Sequence, residues 1–182
     1  MNTTSTNDNE KQLAAGYAVL ARCWREPDAD LVAAIETGDL DEVATDIDTV
    51  SLDALRIEYT RLFVGPAEPP CPPYESVYRD EGGQVLGPMT RAVVTWYRSY
   101  DLEPDVEVPE LPDHIGTELE FLGCLYRENE TEAAKQFLEE HPREWIGQFL
   151  NEVREATDDP FYAALADTTE RVIEPLESTT PP

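Results

Sequence analysis

Chemistry in this chain is limited first by histidine, since only His114 and His141 are present. His114 and Glu118 stand i,i+4, a spacing that puts an imidazole and a carboxylate on one helix face and can hold a metal. Such a pair supplies two ligands, whereas catalytic zinc takes three from the protein. The bland alternative is that His114 packs or hydrogen-bonds locally beside a capping Asp113, and that His141, just before Pro142, caps a helix junction. Ser76 has neither a nearby histidine nor a Gly-x-Ser-x-Gly setting, so a serine nucleophile is unsupported. Gly82-Gly83 lacks a following Lys-Ser/Thr and is no phosphate-binding loop. With 39 Asp and Glu residues, any pair of carboxylates carries almost no information about acid–base catalysis. The run Pro69-Pro-Cys-Pro-Pro73 is either a polyproline ligand or, more simply, a rigid loop setting the exit path of a helix.

The elements that must position these residues are helical. Leu13, Tyr17, Leu20 and Trp24 form one apolar face. Helices are expected over 28–37, stopped by Gly38, and over 39–48. Ser51 caps another, with the stripe Leu52, Leu55, Tyr59, Leu62 and Phe63. Gly65-Pro66 ends it through a left-handed glycine cap. Residues 65–73 hold five prolines and cannot be regular helix. A small hairpin around Gly82-Gly83 is the expectation for 77–86. Met89, Val93, Trp96, Tyr97 and Tyr100 mark a further helix. Residues 101–112, with three prolines and five acids, read as a linker and hinge. Asp113 is expected to cap a helix carrying Ile115, Leu119, Leu122 and Tyr126. Further helices are expected over 130–140, from Pro142 (Trp145, Phe149, Leu150, Val153) and from Pro160 (Leu165, Val172, Ile173, Leu176). No alternation is long enough to found a sheet. The fold class is therefore all-α, an irregular single-domain bundle of about eight to ten helices over 10–177, with disordered segments at 1–9 and 178–182.

Composition narrows the partners. The net charge of −26, with only Lys11 and Lys135 as lysines, must be carried on the surface. It fits a saline cytoplasm, where the Debye length shrinks to about 3 Å at 1 M salt. It argues against nucleic acid, since no basic patch can neutralise phosphates. Cys23, Cys71 and Cys124 are dispersed and odd in number, which suits a reducing compartment. No apolar run spans a bilayer, and residues 1–9 have no basic or apolar region typical of an export signal. A cytoplasmic location is expected.

Three motifs occur in fixed order: Glu58-Tyr-Thr-Arg-Leu-Phe-Val-Gly-Pro66, Pro72-Pro-Tyr-Glu-Ser-Val-Tyr78 and Pro112-Asp-His-Ile-Gly-Thr-Glu-Leu-Glu-Phe121. On a helical chain of this length they resemble the TorD/DmsD/NarJ-type family of redox-enzyme maturation chaperones, over roughly 10–176. The resemblance implies a protein-binding module and not an enzyme. Its client would be the twin-arginine signal peptide, and the apo-form, of a molybdopterin oxidoreductase of the dimethyl sulfoxide, trimethylamine N-oxide or nitrate reductase type, held until cofactor insertion. The resemblance puts Asp113 and His114 at the mouth of a groove between helical halves, with Tyr74, Glu75 and Ser76 lining or supporting it. Tyr78 and Glu118 are expected in the same site, and Asp113 or Glu75 could pair with the client's arginines. Glu58, Leu62, Phe63, Gly65, Pro66, Pro73, Pro112 and Leu119 would be scaffold. Some relatives build the groove wall from tryptophans, of which this chain has Trp24, Trp96 and Trp145. Guanine nucleotide and molybdenum cofactor are linked to the family, but no motif here supports either. A monomer and a domain-swapped dimer, exchanged about the 101–112 hinge, are both compatible with the pattern. The competing classes are a metal-dependent enzyme using His114 and Glu118, and a general helical interaction subunit.

Overall fold

The computed structural model describes residues 3–43, 47, 50–66, 68–83, 85–103 and 110–174. Among these are nine α-helices and no strand: α1 Thr3–Cys23, α2 Ala29–Glu36, α3 Leu52–Tyr59, α4 Glu75–Arg79, α5 Pro88–Ser99, α6 Ile115–Arg127, α7 Thr131–Glu140, α8 Pro142–Ala156 and α9 Pro160–Ile173. Most begin where the sequence says they should. Asp28 caps α2 through Leu31 N–H, Ser51 caps α3 through Ala54 N–H, and Asp159 caps α9 through Phe161 and Tyr162 N–H. Prolines open α5, α8 and α9, where a missing N–H costs nothing.

The centre of the bundle is the pairing of α1 with α6. It is close because α6 presents glycines to α1: a Cβ on Gly116 would lie 3.0 Å from the Ala21 carbonyl, and one on Gly123 3.1 Å from that of Ala14. Each side contributes a small residue every second turn, so the backbones approach without side chains between them. Helix α8 packs on α4 and α9, and α7 bridges α6 and α8. Trp24, 1% exposed, anchors the core, donating from its indole to Thr169 Oγ1 at 3.0 Å and meeting Phe63 and Phe149 edge-on. Leu62, Phe63 and Leu119 are buried here. Glu58 ties this motif to the end of α8, through Arg61, which reaches the Ala156 carbonyl, and through Thr157.

Several expectations need correction. α1 starts at Thr3, inside the segment expected to be disordered, because a helix nucleated on a buried face can run on through polar residues. The helix expected over 39–48 is a series of turns through Val43, started by Gly38 at φ 80°; residues 44–46, 48 and 49 lie outside the described residues. α3 widens into a π-helical turn, Thr60–Val64, closed by Gly65 N–H to Thr60 O at 2.6 Å. The extra residue lets Leu62 and Phe63, neighbours in sequence, both be buried. Gly65 then adopts φ 56°, ψ 163°, a glycine-only region and not the left-handed helical cap expected. The hairpin over 77–86 is replaced by the end of α4 and a loop. Asp80 closes that loop by accepting Met89 N–H, and Gly87 has no room for a Cβ beside its carboxylate. Residues 104–109 of the hinge expected over 101–112, the tail 178–182 and Leu176 lie outside the described residues.

Candidate functional site

The two sharpest motifs meet as backbone. Tyr74 and His114 form an antiparallel bridge, with Glu75 N–H donating to Asp113 O and Ile115 N–H to Pro73 O, both at 3.0 Å. This pairing starts α4 and α6 side by side and exchanges their caps. The expectation that Asp113 caps its own helix is wrong. Its Oδ2 accepts Ser76 N–H at 2.9 Å, so it caps the first turn of α4 from across the chain. His114 takes the cap of α6, its Nδ1 accepting Gly116 N–H at 3.0 Å. That bond fixes the ring proton on Nε2. Burial, and then the nearby Arg25 cation, lower the His114 pKa from 6.5 to about 3, so the ring is neutral.

Behind the bridge lies a buried polar cluster. Glu75, Ser76, Asp113, His114 and Glu118 are all 0% exposed. Glu75 is held by Arg79, one turn on, and by His141, whose Nδ1 lies 2.9 and 3.1 Å from its oxygens. His141 does sit at the junction, closing α7 and opening α8 by its backbone, while its side chain joins both to α4. Glu118 accepts the Trp145 indole N–H at 3.0 Å. Burial first, then the neighbouring Glu75 carboxylate, push the Glu118 pKa well above the carboxylate range, favouring its protonated form. Tyr78 stacks on Trp145 at 5.4 Å and donates to Glu152 at 2.8 Å, and Tyr74 meets the His114 ring edge-on at 5.4 Å. All seven residues expected at a client site are thus brought together, but as a brace joining α4, α6 and α8. The carboxylates of Asp113 and Glu75 are out of reach of a client's arginines. Among the described residues no group of three His, Cys, Asp or Glu is arranged to hold a metal; His114 Nδ1 and Glu118 Oε2 are engaged internally, while His114 Nε2 and Glu118 Oε1 are buried without a hydrogen-bond partner among the described residues.

An open cleft of about 240 Å³ adjoins this brace. Tyr97, Leu102, Pro112, Phe121 and Cys124 give it apolar walls, and Glu103, Glu110 and Glu120 are its acids. Pro112 connects cleft and brace: it lines the cleft, precedes Asp113, and its carbonyl accepts the buried Tyr97 hydroxyl at 2.8 Å. Sequence reasoning missed these residues, except Pro112, because they come from three segments with no common spacing. Trp24 and Trp145 are core residues, and Trp96 packs on Phe137 while donating to Glu140, so none of the tryptophans lines this cleft.

The helix order and the braced cleft define an all-α domain of the redox-enzyme maturation fold. A crystal structure from Archaeoglobus fulgidus, described as a candidate redox enzyme maturation protein, superposes with a TM-score of 0.67 at 28% identity, covering 89% of this chain and 94% of that one. The sequence profile of the nitrate reductase delta subunit family matches residues 26–151, and the chain belongs to that family. A Tat proofreading chaperone, DmsD, of Salmonella typhimurium is 31% identical over 123 residues, 68% of this chain and 60% of the relative. A chlorate reductase assembly chaperone of Ideonella dechloratans is 29% identical over 180 residues, 92% of this chain and 89% of the relative. The match thus spans less than two thirds of the length of the DmsD protein. No helix among the described residues is long and apolar enough to cross a membrane.

Proposed function

We propose that this protein is an assembly chaperone that binds the twin-arginine signal peptide of a molybdopterin oxidoreductase in the cytoplasm and holds the apo-enzyme until its cofactor is inserted. The observation that carries this is the apolar cleft with acidic walls, set against the Pro112-Asp113-His114 brace in a chain of this family. The named roles of the relatives, proofreading and reductase assembly, point the same way. A signal peptide of this type offers two arginines followed by an apolar stretch, and the cleft offers carboxylates beside apolar walls. The cleft is smaller than the ~300–1,000 Å³ typical of small-molecule sites, so it takes a few side chains of a peptide at a time. Two leucine-sized side chains would contribute about 3–6 kcal/mol, offset in part by ordering the peptide. Binding in the micromolar range, about −8 kcal/mol, requires further contacts along the leader and still permits release.

In this account Asp113, His114, Glu75, Ser76 and Glu118 work by position. They fix Pro112 and the start of α6, and thereby two walls of the cleft, while Tyr74 and Tyr78 cover the brace. The protein's part is binding and not catalysis. Calorimetry against twin-arginine leaders of molybdoenzymes, with a scrambled leader as control, tests the proposal. Micromolar binding to one leader and none to its scrambled form is expected. Equal binding to both, or to neither by the folded protein, would reject it.

A further inference from the structure

One wall of the cleft already holds an arginine. Arg25, just past the end of α1, lies with its Cγ over Gly116, 3.3 Å from where a Cβ would stand, and reaches one turn along α6 to Glu120. Both residues line the cleft. The bond is single: Arg25 Nη2 to Glu120 Oε2 at 2.7 Å. Two other arginines are paired more fully. Arg61 grips both oxygens of Glu58, and Arg154 spans Asp167 and Glu170. Arg25 Nε, by contrast, is buried with no hydrogen-bond partner among the described residues. A guanidinium held by one of its five donors, with another buried and unpaired, is weakly held.

Glu120 is suited to a better partner. Its side chain is 53% exposed and its second oxygen makes no ion pair among the described residues. It sits one residue before Phe121, which forms apolar wall. Glu103 and Glu110 line the same cleft and add negative potential. A peptide arginine arriving from solvent can offer Glu120 a two-pronged pairing that Arg25 does not make.

We infer that Glu120 is the carboxylate that selects an arginine of the bound peptide, and that Arg25 is its internal competitor, occupying Glu120 until the client arginine displaces it. The inference rests on the signal-peptide proposal above and assigns the regulation of that same cleft. The displaced Arg25 swings toward solvent, so an incoming lysine, which cannot pair in two prongs, competes less well than arginine. Because the pair is partly exposed, Arg25 at 22% and Glu120 at 53%, the effect is modest and is screened by salt.

The test is calorimetry at one fixed salt concentration with three leaders: native, both arginines changed to glutamine, and both changed to lysine. Arg25→Gln is expected to tighten binding of the native leader by about two- to five-fold, the range of a partly exposed ion pair, and to leave the glutamine leader unchanged. Glu120→Gln, at an exposed position, is expected to weaken the native leader by a similar factor, again without effect on the glutamine leader. In the double variant the gain from Arg25→Gln should vanish. The lysine leader should bind wild type less tightly than the native one. If native leader binds wild type but Glu120→Gln does not weaken it, or Arg25→Gln weakens it or leaves it unchanged, the competitor role is wrong and the chaperone proposal stands. If no leader binds folded wild type, both fall together.

Discussion

At the scale of single residues, His114 and Glu118 have opposite pH signatures. His114 is a base whose folded pKa, about 3, lies below its ordinary 6.5. Its neutral form is what the fold accepts, so its contribution is complete above pH 6.5 and is lost as the pH falls toward 3. Asn at this position can still accept Gly116 N–H but cannot be protonated. His114→Asn is therefore expected to flatten the loss of stability between pH 6.5 and 3, read from melting temperatures across that range. An acid limb as steep as in wild type would show that His114 is not its source. Glu118 is an acid whose folded pKa is raised above 4.5, so the folded state keeps a proton that the unfolded chain loses. Its contribution is complete below pH 4.5 and declines as the pH rises. Glu118→Gln keeps an acceptor for the Trp145 indole and cannot ionise. It should melt several degrees above wild type at pH 8, with the gap closing near pH 4. A lower melting point at pH 8 would mean that the carboxylate itself is needed. The grouping of these residues was legible as a motif, but their burial was not. Asp113 before a helix reads as that helix's cap, and only the bridge between Tyr74 and His114 turns it toward Ser76.

At the scale of elements, the glycines of α6 set how close α1 can lie. Gly123→Ala would place a methyl group 3.1 Å from the Ala14 carbonyl, tighter than ordinary contact. The helix gains some propensity from alanine, but the seam must open, and a net loss of about 1–2 kcal/mol is expected by denaturant titration. An unchanged midpoint would show that α1 shifts freely. The helices were readable where an apolar stripe coincided with a side-chain cap or proline, as at Asp28, Ser51, Asp159 and Pro142. They were misread where long-range bonds decided the matter. Gly82-Gly83 does supply the two positive φ values a tight turn needs, but Asp80 ties the flanking chain to Met89 and not to a partner strand. The π-helical turn at Thr60–Val64 left no trace in the spacing, since Leu62 and Phe63 fit an ordinary stripe until both had to be buried.

At the scale of the whole molecule, a net charge of −26 on 182 residues repels itself. Salt should stabilise the fold by screening, so the melting temperature should rise steadily between 0.1 and about 2 M salt; a flat or falling curve would show that the charge is already balanced locally. The acidic surface also makes the cleft selective by contrast, since its apolar walls are where a mostly apolar peptide gains by leaving water. The all-α class could be read from periodicity and the family from the ordered motifs. The cleft could not, because it is assembled from the end of α1, the end of α5 and one face of α6. The most direct test of that assembly is to fill it. Thr117 lines the cleft but lies outside the buried cluster, so Thr117→Trp should occupy the cleft and spare the brace. Leader titrations of wild type and Thr117→Trp should be run side by side with their melting curves. A loss of binding of ten-fold or more (about 1.4 kcal/mol) with an unchanged melting temperature is the predicted result; undiminished binding to the filled variant would contradict the account and place the leader elsewhere on the molecule.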